Sequence, residues 1–165
     1  MAKPRKSLMT CAILLCASCF SGNAATKTES LSLCGQCLNP SVSSKSGIGT
    51  ASAAVEARIT KSGAEAWCAN WHPDDANCAS GQMSSDEAKK TYRASANCIA
   101  GQITAIDGRK YTRDGLWTTG IGKGRARFRN ARGGIVAQDD NSGGLAIAQQ
   151  WELLCPALKK PSPGH

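Results

Sequence analysis

Six cysteines, Cys34, Cys37, Cys68, Cys78, Cys98 and Cys155, are spread over the part of this chain that can fold, and they constrain it more than its apolar residues do. Three others, Cys11, Cys16 and Cys19, lie in an N-terminal segment of a different kind. There Lys3, Arg5 and Lys6 precede an apolar run from Leu8 to Phe20, and the small residues Ser21 to Ala25 follow. That order is the layout of a secretory signal peptide, so residues 1–24 are expected to be cleaved and the mature chain to begin at Ala25, with Thr26 as the alternative. The run is shorter than the roughly 20 apolar residues a membrane-spanning helix needs, and no second run follows, so no transmembrane segment is expected. A lipid anchor at Cys19 is the competing reading, because Ala17-Ser18-Cys19 suits the end of a lipoprotein signal. Cys16 weighs against it by standing where such signals carry Leu. Export delivers six thiols to an oxidising compartment, where an even number reads as three disulfides.

The composition explains why disulfides are needed. With two Phe and two Tyr among 165 residues and 17 glycines, the chain can build only a thin core. Each bridge contributes about 2–4 kcal/mol by restricting the unfolded chain. Loss of the leader removes three of the 20 basic residues and none of the 12 acidic ones, leaving 17 against 12 and a mature net charge of +5. A moderately basic exported protein fits acidic partners, either an acidic polymer or an acidic exported protein. No Asn-x-Ser/Thr acceptor is present, which favours a bacterial periplasm or medium over a eukaryotic secretory route.

The mature chain divides into three parts. Residues 25–49 are rich in Ser, Thr, Gly, Asn and Lys and read as a flexible arm carrying Cys34-Gly35-Gln36-Cys37, with Leu31 and Leu33 able to dock. Residues 50–156 read as one small α+β domain, and 157–165 as a disordered tail. Within the domain, residues 50–98 are expected to be helical, in two or three short helices. Val55, Ile59, Ala66, Trp67, Asn70 and Trp71 fall near one face of the first, and Ser84 with Glu87 forms a capping box for the second. Residues 99–156 are expected to form an antiparallel β-meander. Its strands lie at Ile103 to Ile106, Arg109 to Thr112, Leu116 to Thr119, Gly124 to Asn130, Gly134 to Asp139 and Leu145 to Cys155, with Asp107-Gly108 as a hairpin turn. A bridge from Cys98 to Cys155 would clasp the two ends of that β region. The other four cysteines can pair in three ways.

Several constellations could carry chemistry. Cys34-Gly35-Gln36-Cys37 is the sharpest, since two thiols at this spacing can cycle between dithiol and disulfide when one thiolate is stabilised, commonly by a helix N-terminus. Here Asn39-Pro40 follows at once, so a structural role is favoured and a thiol-disulfide oxidoreductase is the alternative. One Cys-x-x-Cys in an oxidising compartment does not make a zinc site, and neither a metal nor a cofactor is expected. His72 beside Asp74 and Asp75 resembles a base oriented by a carboxylate, but no nucleophile motif accompanies it and a helix-terminating turn explains it. Asp139, Asn141 and Gly143 alternate as in a calcium loop but lack its closing acid. The four tryptophans, Trp67, Trp71, Trp117 and Trp151, are assigned to the core.

The basic segment from Arg109 to Arg132 is the candidate binding surface, with eight Lys or Arg residues against Asp114 alone. Arg125, Arg127 and Arg129 alternate with Ala126 and Phe128, so a strand would project all three guanidinium groups from one face, with Arg109 and Lys110 near by. Such a row could grip carboxylates or phosphates. No aromatic-basic recognition motif accompanies it, and nucleic acid is not expected as a partner. The sequence thus reads as a periplasmic or secreted, disulfide-stabilised binding, inhibitor or accessory protein, more readily non-catalytic than an enzyme.

Overall fold

The computed structural model describes residues 29–138 and 143–156. The leader, Cys19, the tail from residue 157, and Asp139 and Asn141 of the calcium-like run lie outside the described residues.

One antiparallel sheet organises the chain. Its strands are β1 (Ser41–Ser46), β2 (Ala53–Arg58), β3 (Tyr92–Asn97), β4 (Gln102–Thr104), β5 (Lys110–Leu116) and β6 (Ala126–Asn130), and they neighbour one another in chain order. Helices α1 (Lys61–Trp71), α2 (Cys78–Ser84) and α3 (Asp86–Lys89) connect β2 to β3, and α4 (Gly144–Leu154) follows β6. The α+β class and the meander are present, but helices are not confined to the N-terminal half. Among the described residues two strands precede the first helix and a helix is the last element.

Two helical expectations fail for a common reason, the period of small residues. Ala53, Val55, Ala57 and Ile59 are all buried and alternate with partly or fully exposed neighbours, which is the period of a half-buried strand rather than a helix. Ala94, Ala96 and Cys98 repeat the pattern, so Tyr92 and Ala96 stand on β3 and the helix expected through them stops after Lys89. Its cap is Ser85 rather than Ser84, with Ser85 Oγ accepting from the Ala88 N–H at 3.3 Å. In the opposite direction, Leu145 to Cys155 is not a strand. Ile147, Ala148, Trp151 and Leu154 are buried at intervals of three and four, the stripe of a helix laid on the sheet. Beyond β6, the described part of the segment from Gly134 is not a strand but an isolated Ile135–Arg129 bridge, with Asn130 N donating to Gly134 O and Val136 N to Phe128 O, both at 2.9 Å.

The core fills the space between α4 and one face of the sheet. Trp151 meets Phe128 edge-on at 5.7 Å, with Val55, Ile103, Tyr111 and Leu154 around them. Trp151 is the single tryptophan of the four that is buried. Trp67 and Trp117 are half-buried and Trp71 is 48% exposed, so the assignment of all four indoles to the core is corrected. The arm is likewise part of the fold. Leu31 is fully buried, its N–H donates to Pro40 O at 2.9 Å, and β1 lies within the span expected to be flexible. Gln150, also buried, holds the arm from inside: its Nε2 donates to Ser32 O at 2.6 Å and its Oε1 accepts from Ile106 N at 3.0 Å.

Disulfides join Cys34 to Cys37, Cys68 to Cys78 and Cys98 to Cys155. The last closes the sequence at Cys155 as expected, but it ties the end of β3 to the end of α4, not two strands. Next to it Gly49 N donates to Leu154 O at 2.8 Å and Cys98 N to Thr50 O at 3.0 Å, so three segments meet at the bridge. No helix among the described residues is long and apolar enough to cross a membrane.

Candidate functional site

A strand buries alternate side chains, and α4 covers only one face of the sheet, so the intervening side chains of β2 to β6 form an open outer face. Register arranges them in cross-strand rows. One row runs Ala54, Ser95, Thr104, Lys110; the next runs Asn97, Gln102, Thr112, Arg129; Glu56 and Arg93 lie beyond the first, ion-paired at 2.9 Å. None of these ten residues is buried. A shallow cavity of about 680 Å³ is lined by every residue of the two long rows except Arg129, and a second of about 790 Å³ continues past Tyr92 and Arg93.

The chemistry of the face is neutral hydrogen bonding bordered by positive charge. Ser95, Thr104 and Thr112 present hydroxyls, Asn97 and Gln102 amides, each able to donate and accept. Lys110 ends one row with no ion-pair partner among the described residues, and Arg129 ends the other. At the far border Tyr92 donates to Glu87 Oε2 at 2.8 Å, and Lys90 pairs with the same carboxylate. Desolvation, aided by that bond, pushes the Tyr92 hydroxyl up to about 12. The bonds from Lys90 and Tyr92 hold Glu87 below the usual carboxylate range.

The arginine row differs from its expected form. Arg127 and Arg129 share one face, but both reach Asp114 Oδ2, at 3.0 and 3.1 Å. Arg127 Nε also donates to Asp114 O at 2.8 Å, and its guanidinium lies 6.0 Å from the Trp117 ring centre. Arg125 precedes the strand and turns to Glu152 on α4 at 3.2 Å. The three do not project as a free parallel set, because Asp114, the one acid in the basic segment, is positioned by an irregularity of β5 between Arg113 and Leu116 to neutralise two of them. Arg109 is exposed at the β4–β5 turn, its Nε 3.8 Å from Asp107.

The other candidates lie elsewhere. Cys34 and Cys37 are half-buried and bonded to each other in a loop closed by Asn39, which accepts from Leu33 N at 2.7 Å; the loop is held to α1 by Trp67 Nε1 donating to Gln36 O at 2.9 Å. No helix begins at the pair. His72 caps the C-terminus of α1 and its ring lies 4.9 Å from that of Trp67. Asp75 accepts from Asn77 N at 2.9 Å and has no bond to the imidazole, so the base–carboxylate pair is not assembled. Gly143, at φ 71°, is the N-cap of α4. Among the described residues no three His, Cys, Asp or Glu side chains are grouped to hold a metal ion.

The hydroxyl and amide rows are what sequence reasoning missed. Their signal was the alternation Arg93-Ala94-Ser95-Ala96-Asn97, which is legible once the segment is taken as a strand. No protein-family model, no curated protein and no solved structure matches this chain.

Proposed function

We propose that this chain is an exported, disulfide-stapled, non-catalytic binding protein whose open sheet face holds a segment of an acidic, hydroxyl-bearing envelope polymer. The single observation that carries the reading is the pair of cross-strand rows, Ala54-Ser95-Thr104-Lys110 and Asn97-Gln102-Thr112-Arg129, of which all but Arg129 line one shallow cavity. Hydroxyls and amides spaced by the roughly 4.8 Å between strands match the recurring hydroxyls of a saccharide chain, and the row-end cations, Lys110 and the Arg129 that is half-exposed beside Asp114, match its carboxylates. The three intramolecular disulfides support an extracytoplasmic setting, as does the leader-like N-terminus.

The test is native electrophoresis in gels cast with polygalacturonate or with neutral dextran. Wild-type protein is expected to be retarded by polygalacturonate alone, less so with added salt. The Lys110→Gln/Arg129→Gln variant is expected to lose most of the retardation with unchanged circular dichroism. Equal migration of wild type in the two gels, or full retardation of the variant, overturns the reading. Capture of an acidic exported protein without retention by polygalacturonate moves it to a protein partner. Replacing Arg125, Arg127 and Arg129 together is the poorer test, since it strips Asp114 and Glu152 of these partners.

A further inference from the structure

In an antiparallel meander every second connection falls at the same end of the sheet. Here the β1–β2, β3–β4 and β5–β6 connections share one end, and the β2–β3 and β4–β5 connections share the other. Neighbouring connections at the first end are two strands apart, roughly 10 Å. Each presents an isoleucine in a run of small residues: Gly47-Ile48-Gly49, Ile99-Ala100-Gly101 and Gly120-Ile121-Gly122. Ile48 packs partly on the core, whereas Ile99 is 83% and Ile121 70% exposed, the two most exposed large apolar side chains among the described residues.

The charge of the two ends is opposite. Residues 47–52, 98–101 and 117–125 contain no acid and two bases, Lys123 and Arg125. At the other end, residues 59–91 and 105–109 contain six acidic residues against four basic ones. The helix α4 finishes at the first end, fixed there by Cys98–Cys155, and its last turn carries Glu152, which pairs with Arg125 at 3.2 Å. Trp117, half-buried at the base of the 117–125 loop, binds the loop's far side through its own backbone, N to Arg125 O at 2.9 Å and O from Gly124 N at 2.8 Å. Gln138 braces the same loop, donating to Thr119 O at 2.8 Å and accepting from Gly122 N at 2.9 Å, so Ile121 is held outward on a built support.

Exposed apolar tips on braced loops, with Lys123 two residues from Ile121 and the acid at this end, Glu152, already paired with Arg125, match the boundary of an anionic bilayer, where apolar side chains enter the acyl region and Lys meets the headgroups. We propose that this end of the molecule docks on an anionic lipid surface, with Ile99 and Ile121 inserting and Lys123 on the phosphates. The acidic end then faces away from the surface, and the outer sheet face stands roughly perpendicular to it, free to hold its ligand.

The experiment is flotation of the exported protein with vesicles of phosphatidylcholine containing about one third phosphatidylglycerol, and with phosphatidylcholine alone. Wild type is expected to float with the anionic vesicles and to show quenching of Trp117 by brominated acyl chains. Ile99→Ser/Ile121→Ser is expected to lower the partition coefficient about tenfold or more, and Lys123→Gln to lower it less and to flatten its salt dependence. Any contribution of the N-terminus or of a lipid on Cys19 is common to all variants, so it cannot produce that difference. Lys110→Gln/Arg129→Gln should float as wild type does, which separates this surface from the polymer-binding face. Absence of wild-type flotation, or equal flotation of the double isoleucine variant, overturns the proposal.

Discussion

Replacing Cys98 and Cys155 together by alanine should cost far more stability than replacing Cys34 and Cys37, although both changes remove one disulfide. The chain-entropy contribution of a bridge grows with the loop it closes, and the sequence separations are 57 and 3. On that scale the first bridge is worth about 4 kcal/mol and the second about 2 kcal/mol, with Cys68–Cys78, at a separation of 10, about 3 kcal/mol. Surroundings widen the gap. Cys98 and Cys155 are 3% and 1% exposed where β3, α4 and the β1–β2 turn converge, so their sulfurs also leave a void, whereas the Cys34–Cys37 loop keeps its Asn39 and Trp67 bonds without its bridge. Against a total stability of about 5–15 kcal/mol, losing the first bridge removes a large part of the margin. Urea unfolding followed by far-ultraviolet circular dichroism, with each double-alanine variant beside wild type, measures the difference. A Cys34–Cys37 variant as unstable as the Cys98–Cys155 variant would refute the loop-length argument. Turnover of a model disulfide that disappears in Cys34→Ser while stability holds would restore the oxidoreductase alternative.

Four further outcomes follow from particular contacts. Gln150→Leu should destabilise by about 2–4 kcal/mol in the same unfolding assay, because it orphans Ser32 O and Ile106 N in the interior, and an effect below about 0.5 kcal/mol contradicts the clamp. Gly144→Ala should cost about 3 kcal/mol, since a Cβ there would stand 1.9 Å from Ala137 O, a backbone atom that cannot swing aside; a wild-type melting temperature argues against that close approach. Asp114→Asn should strengthen retardation in polygalacturonate gels, because it releases Arg127 and Arg129 toward the ligand, and weakened retardation shows that those ion pairs position the face instead. In alkaline titration followed at 295 nm, Tyr92 should ionise near pH 12 rather than 10. Since its folded pKa is raised, its contribution to stability is complete below pH 10 and is lost as the pH rises from 10 through 12; in Tyr92→Phe that loss should be absent.

The sequence by itself determined the six-cysteine framework, the hairpin at Asp107-Gly108 and the strand of Arg127 and Arg129, because spacing, turn chemistry and strict alternation are local properties; the Cys98–Cys155 pair forms as expected, although Cys155 ends a helix and not a strand. Tertiary structure decided the rest. Ala53, Ala57, Ala94 and Ala96 are good helix formers that stand in strands, since a small side chain lets the sheet pack closely beneath α4 and burial outweighs a propensity of under about 1 kcal/mol per residue. The segment from Leu145 to Cys155 became a helix because only that conformation turns Ile147, Trp151 and Leu154 together onto Phe128 and Ile103. The function of the arginines was also set at a distance: their alternation is written in the sequence, but Asp114 and Glu152 reach them from β5 and α4. Charge is a property of residues, whereas the charge left free to meet a ligand is a property of the fold.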